Sequence, residues 1–523
     1  MHNKYLILLT VCVGTILTTY VSSCVNIALP NIMAALNFNM DSIVWVSLSY
    51  MLPYGSILPL TGKLGDEYGA KNVYIIGLVL FTIASALCGI ANSSTSMILF
   101  RILQGIGAGM LLPNAMTLVT EAFRPEERGQ ALGIWGAMAA AGGAMGPTIG
   151  GYLIEHFAWR SIFISVVPLC IISMILAFLV LPKSTRRESG KIDWLGAALL
   201  SSAISALLVA LNQGQKEGWD SLYIVSFFYL AFASFVLFIA VEFFVDSPMI
   251  PMELFGNWNF SLANLIGFVS FLAFYGGLFL LPFFMKSVLG YSSVTAGLVV
   301  LPLTLSMVVS APLVGRLCDR IGSRWPALIG MVMIGISFYS LRTVNDHYGF
   351  WDFFYRLTLF GIGLGFTMSP LSNLAIGALP KDKIGVGSGI FNLAKIVGGS
   401  VGVVFAETLL SRREVYHTAV IKEYLNGATG APVEIFNRIQ SLWGSSGMDR
   451  AEIGDATMGW MSGYGYLPQQ YSGFKAILLK LITLKSTVLA FEDVFFGIAM
   501  LCLLRGILCF FIRPQDSRVK KAS

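Results

Sequence analysis

Charge is scarce in this chain. Its 523 residues are 12% charged and 56% hydrophobic, whereas a soluble globular chain carries about 25% charged residues. That excludes an ordinary soluble core and makes a polytopic membrane protein the expectation. Cysteine is scarce as well. The seven cysteines, from Cys12 to Cys509, form no CxxC pair and none falls in the one long hydrophilic stretch, which argues against a disulfide scaffold and a zinc site. No HExxH, GxSxG or Walker pattern occurs, so an enzyme is not expected. The glycine runs Gly105-x-Gly107-x-Gly109 and Gly361-x-Gly363-x-Gly365 lie inside apolar segments with no strand before them, and they do not support dinucleotide binding. No cofactor, metal or nucleic-acid partner is expected.

What the chain has instead is long apolar runs. A spanning helix needs roughly 20 apolar residues. Fourteen segments, from 5–29 to 489–512 and including 43–62 and 129–153, approach that length. Backbone groups in lipid must be bonded internally, and segments this long exceed barrel strands, so they are expected to be helices. Lys4, Lys63, Lys71, Arg124, Arg128, Arg316, Arg320, Arg324, Lys381, Lys383 and Arg513 fall at alternate ends of these segments. The short connections on the other side hold Arg160, Lys216, Lys286 and Arg342. The positive-inside rule then puts both termini in the cytoplasm of a multi-pass cell-membrane protein. Val21-Ser-Ser-Cys24 behind Lys4 looks like a lipoprotein cleavage site, but cleavage would leave an odd number of spans, against this charge pattern.

The chain also repeats itself. Gly62-Lys-Leu-Gly-Asp-Glu-Tyr-Gly-Ala-Lys71 recurs as Gly315-Arg-Leu-Cys-Asp-Arg-Ile-Gly-Ser-Arg324. Gly105, Gly107 and Gly109 recur at Gly361, Gly363 and Gly365, and Gly129, Gly133, Gly142, Gly143 and Gly146 recur at Gly385, Gly389, Gly398, Gly399 and Gly402. Parallel repeats about an axis along the membrane normal are one transporter architecture, with the substrate site between them near the bilayer midplane. The expected organisation is a six-helix bundle over 1–183, two linker spans over 184–250, spans nine to thirteen over 251–411, a long external loop over 412–488, a last span over 489–513 and a cytoplasmic tail over 514–523. The ends of the loop, 411–426 and 473–488, look amphipathic.

In Gly142-Gly-Ala-Met-Gly-Pro-Thr-Ile-Gly-Gly151, the residues Gly142, Gly146 and Gly150 are four apart and line one helix face. Small residues on one face let two helix backbones approach closely in a bilayer. Pro147 removes one helical hydrogen bond, so this span can also bend. Asp66 lies between Gly62 and Gly69, which permit a close approach and a sharp turn, and an aspartate there can sit against a neighbouring helix N-terminus. Arg101 lies five residues into its segment, where a cation normally faces the bundle interior and a carboxylate. Acids inside the segments are few. Glu407 is the leading candidate, with Asp493 and Asp352 opening their own segments. An acid that alternates between an apolar setting and one beside an arginine changes its affinity for a proton. Lys395 stands mid-segment within Asn392-x-x-Lys395-x-x-Gly398-Gly399, where a lysine is costly unless paired or in a wet cavity.

Four signals together resemble the major facilitator superfamily, and within it the fourteen-span drug:proton antiporter family (EmrB/QacA-like). They are Asn26-Ile-Ala-Leu-Pro30, the Asp66 loop, Leu99-Phe-Arg-Ile-Leu-Gln-Gly105 and the Gly142–Gly151 stretch. The resemblance implies two six-helix bundles plus two additional central spans, in a protein that works as a monomer. It implies a cytoplasmic gating latch around Gly62, Asp66, Gly69 and Lys71, with Asp319 and Arg320 in the second copy. It makes Gly142, Gly146, Pro147, Gly150 and Gly151 the antiporter motif, and Arg101, Glu407 and Asp493 the candidates for proton coupling. Asn26, Gln104, Asn392 and Lys395 would line the cavity. The sequence departs from the family at Glu67 and Ala70, where basic residues are usual, and at Val21, where the family often has an aspartate; Val403 stands where Pro147 would repeat. The activity implied is export of hydrophobic drug-like molecules in exchange for protons, with the lipid bilayer and protons as the other partners. A uniporter or importer of a metabolite with the same fold, and a non-transporting membrane receptor or scaffold, are the alternatives.

Overall fold

The computed structural model describes residues 3–39, 42–182, 192–245, 248–291, 293–343, 348–377, 379–426 and 468–513. Every regular element among them is helical. The first half holds α1 (Lys4–Leu36), α2 (Val44–Ser56), α3 (Leu58–Tyr68), α4 (Ala70–Gly89), α5 (Ser94–Ala122), α6 (Arg128–His156), α7 (Ser161–Ile164) and α8 (Val166–Val180). Two helices follow, α9 (Trp194–Glu217) and α10 (Leu222–Phe244). The second half holds α11 (Glu253–Gly256), α12 (Trp258–Ser287), α13 (Ser293–Ile321), α14 (Arg324–Ser340), α15 (Phe350–Gly377), α16 (Ile384–Asn426) and α17 (Pro468–Gly506).

Twelve helical stretches of the described residues are long and apolar enough to cross a membrane. The two other expected segments are helical but fall outside that set for different reasons. Segment 43–62 is divided at Ile57 into α2 and α3. Pro53 lies inside α2 and Pro59 in the first turn of α3, and a proline lacks the N–H that would carry the helical ladder across. Segment 129–153 lies in the 29-residue α6, whose glycines and alanines make it less apolar than its neighbours. The α6 backbone runs as one helix through position 147.

The expected external loop over 412–488 is helical at both ends, since α16 continues to Asn426 and α17 begins at Pro468. Residues 427–467, the 183–191 link and the 514–523 tail lie outside the described residues. The central place of the two linker spans is one of sequence. In space α9 and α10 pack on each other, and α9 touches α2 and α16. Leu222, Tyr229, Phe232, Phe243 and Phe244 of α10 stay exposed, as suits a helix facing lipid.

The halves meet chiefly where α6 packs on α13 and α3 packs on α16, and α15 on α6 and α16 on α5 add to the seam. Lipid tails are as apolar as leucine, so helix association in a bilayer rests on close packing and polar contacts. At the C-terminal end of α17, Arg505 is 3% exposed and its three side-chain nitrogens are buried without a hydrogen-bond partner. Exchanging buried ionic groups for apolar ones of similar volume stabilises proteins by about 1–4 kcal/mol in favourable cases. Arg505→Leu is therefore expected to raise the melting temperature of the purified protein in detergent. A lower melting temperature would show that the guanidinium contributes more than its burial costs.

Candidate functional site

The repeated glycines and aspartates come together in two equivalent joints at the lysine- and arginine-rich end. Each helix begins with N–H groups that have no partner within the helix. At the start of α16, the Gly385 and Val386 amides donate to the two carboxylate oxygens of Asp66 at 2.8 and 2.9 Å. At the start of α6, the Gly129 and Gln130 amides donate to those of Asp319 at 2.9 and 3.1 Å. A carboxylate on a helix N-terminus gains both charge-assisted hydrogen bonds and the favourable end of the helix dipole. Each aspartate belongs to one half and each helix to the other.

Glycine makes these contacts possible. A Cβ on Gly385 would fall 2.6 Å from Asp66 Oδ1, and one on Gly129 would fall 2.7 Å from the Gly315 carbonyl oxygen. Gly62 and Gly385 likewise face each other backbone to backbone. Gly69 turns the chain after Asp66 with φ +92°, and Gly322 does so after Asp319 with φ +83°, a region other residues rarely enter. Lys71 donates to the Leu181 carbonyl at 2.6 Å and the Phe178 carbonyl at 3.1 Å. It thereby caps α8, within its own half. Glu67 is buried with Lys63 at 3.9 Å, and Arg320 is exposed.

The glycine face of α6 serves a different seam. Gly142 meets Ile16 and Thr19, Gly146 meets Ser23, and Gly150 meets Cys24, all on α1. The Cys24 thiol donates to the Gly146 carbonyl at 3.2 Å. This packing lies inside the first half. Gly151 has open space beside it.

Arg101 is 1% exposed. Its Nε donates to the Val46 carbonyl at 3.0 Å, one terminal nitrogen donates to Gln104 Oε1 at 2.6 Å, and the guanidinium covers the Tyr50 ring at 4.3 Å. Gln104 in turn donates to Ser85 at 2.8 Å. The expected carboxylate is not there: no ion pair joins Arg101 to any acid among the described residues. Neutral acceptors and a ring face hold the charge instead. Glu407 in particular forms no ion pair with Arg101. Gln104 is fully buried in this network, so it supports Arg101 and does not line a cavity. Asn26 accepts from Ser47 at 2.9 Å on an exposed face.

Lys395 of α16 lies between the halves. Its ammonium donates to Asn392 Oδ1 at 2.9 Å. It also lies 5.0 Å from the Phe271 ring centre, 5.2 Å from Phe391 and 5.8 Å from Trp135, within the range of cation–π attraction. Trp135 comes from α6 of the first half and is fixed by donating to Thr15 at 2.9 Å. Asn392 is fully buried and donates to the Ser388 carbonyl at 2.9 Å, so it positions Lys395 without lining space itself.

Farther along α16, Glu407 is partly buried and makes no hydrogen bond or ion pair among the described residues. Asp493 of α17 is engaged elsewhere, with His417 at 2.8 Å and Arg413 at 3.5 Å. His417 was not singled out from the sequence, because it lies beyond the apolar part of its segment. Arg356 was missed as well. It donates to the Ser340 and Asp352 carbonyls and to the Tyr348 hydroxyl, a second-half counterpart of the Arg101 network. The repeat could have found it, since Phe354-Tyr-Arg356 precedes Gly361 as Leu99-Phe-Arg101 precedes Gly105, with one extra residue between.

Two bundles joined at one end by mirrored polar contacts are a transporter arrangement, and the comparisons agree. A sequence model of the Major Facilitator Superfamily matches residues 11–403. The chain belongs to that superfamily. Among similar proteins, the riboflavin transporter RibZ of Clostridioides difficile is 32% identical over 418 residues, covering 80% of this chain and 90% of that protein. The multidrug transporter MdtP of Bacillus subtilis is 32% identical over 393 residues, covering 74% and 72%. The multidrug resistance protein Stp of Mycobacterium tuberculosis is 31% identical over 411 residues, covering 78% and 76%. The structure of the human organic anion transporter MFSD10 aligns with TM-score 0.63 at 13% identity over 97% of this chain and 100% of that one, which is a likeness of fold. The protein is thus a multi-pass membrane transporter of the Major Facilitator Superfamily.

The joints yield a direct test. Hydrogen bonds to charged groups contribute about 1.5–3 kcal/mol each in favourable settings, so removing one aspartate is expected to loosen the end that it closes. Ser388 of α16 is fully buried and donates across the interface to the Pro113 carbonyl at 3.3 Å. Maleimide labelling of Ser388→Cys should rise at least tenfold in an Asp66→Ala background. Labelling that stays slow would mean that packing alone holds the joint.

Proposed function

We propose that this protein is a fourteen-span drug:proton antiporter of the EmrB/QacA-like kind, a monomer in the cytoplasmic membrane with both termini inside. It exports hydrophobic drug-like compounds by alternating access and exchanges them for protons. The supporting observation is the mirrored pair of aspartate contacts, Asp66 on α16 and Asp319 on α6. They are polar, they join one half to the other, and they sit at one end only, so they can part without disturbing either bundle. The positive-inside rule puts that end in the cytoplasm. The arrangement is then an outward-facing pose, closed on the inside. The names of MdtP, Stp and the tetracenomycin C resistance and export protein of Streptomyces glaucescens speak for export of drug-like molecules.

The proton requires a group that can change its charge. Arg101 stays charged at any accessible pH and is held by neutral partners, so in this reading it fixes the geometry of α2, α4 and α5. Glu407 carries the proton. It is a carboxyl without a fixed partner on α16, the helix whose first turn Asp66 holds, so protonation there and release of the joint act on one rigid element.

Proteoliposomes loaded with a fluorescent drug and given an imposed pH gradient test the scheme. Efflux should follow the gradient, and Glu407→Gln should lower gradient-driven efflux at least tenfold while leaving drug exchange at equal pH in place. Efflux that ignores the gradient would sink the proposal. The alternative reading, a metabolite transporter without proton exchange, is favoured by the similarity to RibZ, and riboflavin uptake unaffected by Glu407→Gln would establish it.

A further inference from the structure

The surroundings of Lys395 carry information about substrate charge that the joints do not. An ammonium has three protons to donate, and this one meets a single acceptor, Asn392 Oδ1. The rest of its surroundings is aromatic: Trp135 from the first half, Phe271 and Phe391 from the second. No carboxylate forms an ion pair with it among the described residues. The neighbourhood continues as ring surface. Tyr275 of α12 packs on Phe271 with ring centres 5.9 Å apart and remains 42% exposed. Tyr54 of α2 stacks on Tyr50 with ring centres 5.7 Å apart. On α6, a Cβ added to Gly136 or Gly143 would meet nothing within 4 Å, so open space adjoins the helix that supplies Trp135.

A site with this composition is unbalanced by one positive charge. Ring faces attract a cation, but they also stack flat on planar ligands. A cationic ligand would meet the repulsion of a fixed ammonium at short range in a setting of low dielectric. An anionic ligand would supply the missing acceptors and cancel the charge. We infer that the interface around Lys395 is the substrate site and that it selects planar aromatic anions, such as a fused-ring carboxylate or phenolate, over planar aromatic cations. The inference rests on the export reading for its physiological meaning, but it concerns binding and is tested without transport.

Two xanthene dyes of similar size and opposite charge make the probes, fluorescein as the anion and rhodamine 6G as the cation. Fluorescence anisotropy of each dye against the purified full-length protein gives its dissociation constant. The wild type should bind fluorescein at least tenfold more tightly than rhodamine 6G. Lys395→Gln should weaken fluorescein binding at least tenfold and leave rhodamine 6G within about threefold. Lys395→Glu should reverse the preference, and Lys395→Arg should keep it. Equal or tighter binding of rhodamine 6G by the wild type overturns the inference, as does unchanged fluorescein binding by a folded Lys395→Gln protein. If the Gln and Glu variants fail to fold, the wild-type preference alone decides. Anion-selective binding by a protein that shows no gradient-driven efflux would defeat the export reading and leave this inference standing; gradient-driven efflux confined to cationic drugs would do the reverse.

Discussion

Backbone-to-backbone proximity at one end of the molecule is the constraint on which the rest depends. Helices α6 and α16 each present unpartnered amides at their first turn, and each must find an acceptor outside itself. The acceptor is a carboxylate from the opposite half, and it reaches the amides only because glycine stands at both sides of the contact, Gly62 with Gly385 and Gly315 with Gly129. A side chain at any of these positions would separate the helices and leave both the aspartate and the helix start without a partner. The glycines and the aspartates therefore act as one unit, and the near-twofold repetition of that unit is what makes the two halves a pair.

The two glycine-lined surfaces of α6 let one helix serve both the interior of its own half and the interface between the halves. Gly142, Gly146 and Gly150 lock it to α1 of its own half, with a buried thiol-to-carbonyl bond in the seam. Gly129 and Gly133 bring its other end against Asp319, Gly315 and Ala311 of the second half. The first surface is close-packed, and the Thr19, Ser23 and Cys24 side chains in it are enclosed between the two helices. The second depends on charge-assisted hydrogen bonds whose donors and acceptors water can satisfy equally well. A separation of the halves then exposes groups that solvent accepts, while a separation of α6 from α1 would not be compensated.

The sequence made much of this legible, for reasons that can be traced to particular residues. Asp66 and Asp319 stood out because a spacing of glycines around an acid occurred twice, and the repeat is a long-range signal that one chain carries within itself. The helices were legible wherever apolarity was continuous. It was not continuous at 43–62, where Pro53 and Pro59 divide one segment into two helices, nor beyond 410, where α16 keeps its hydrogen-bond ladder after its apolar face has ended. Side-chain partners were the least legible. Arg101 was expected to meet an acid because a buried charge usually does, yet a carbonyl, an amide oxygen and a tyrosine face satisfy it. Those partners come from α2 and from its own helix, and no spacing in the sequence announces which carbonyl will point at a guanidinium. Gln104 and Asn392 were misread for a related reason. A polar residue in a span can face a cavity or support another polar side chain, and only the packing distinguishes the two.

The same distinction separates the charges that hold the structure from those available for chemistry. Asp66 and Asp319 have helix starts as partners, Arg101 has a closed network, and Asp493 has His417 and Arg413. Each of these would lose interactions if it changed its charge or its neighbours. Lys395 and Glu407 differ, since one ammonium has a single acceptor and the other group is a carboxyl without a fixed partner. Both stand on α16, about 18 Å apart along the axis at 1.5 Å per residue, and the Asp66 contact is at that helix's first turn. A helix transmits displacement along its axis far better than it bends. In the proposed scheme, loading a ligand against Lys395, or a proton on Glu407, changes the balance of forces on the same rod that Asp66 anchors. Coupling between the two then needs no chain of intermediate side chains, only an element whose position depends on all three.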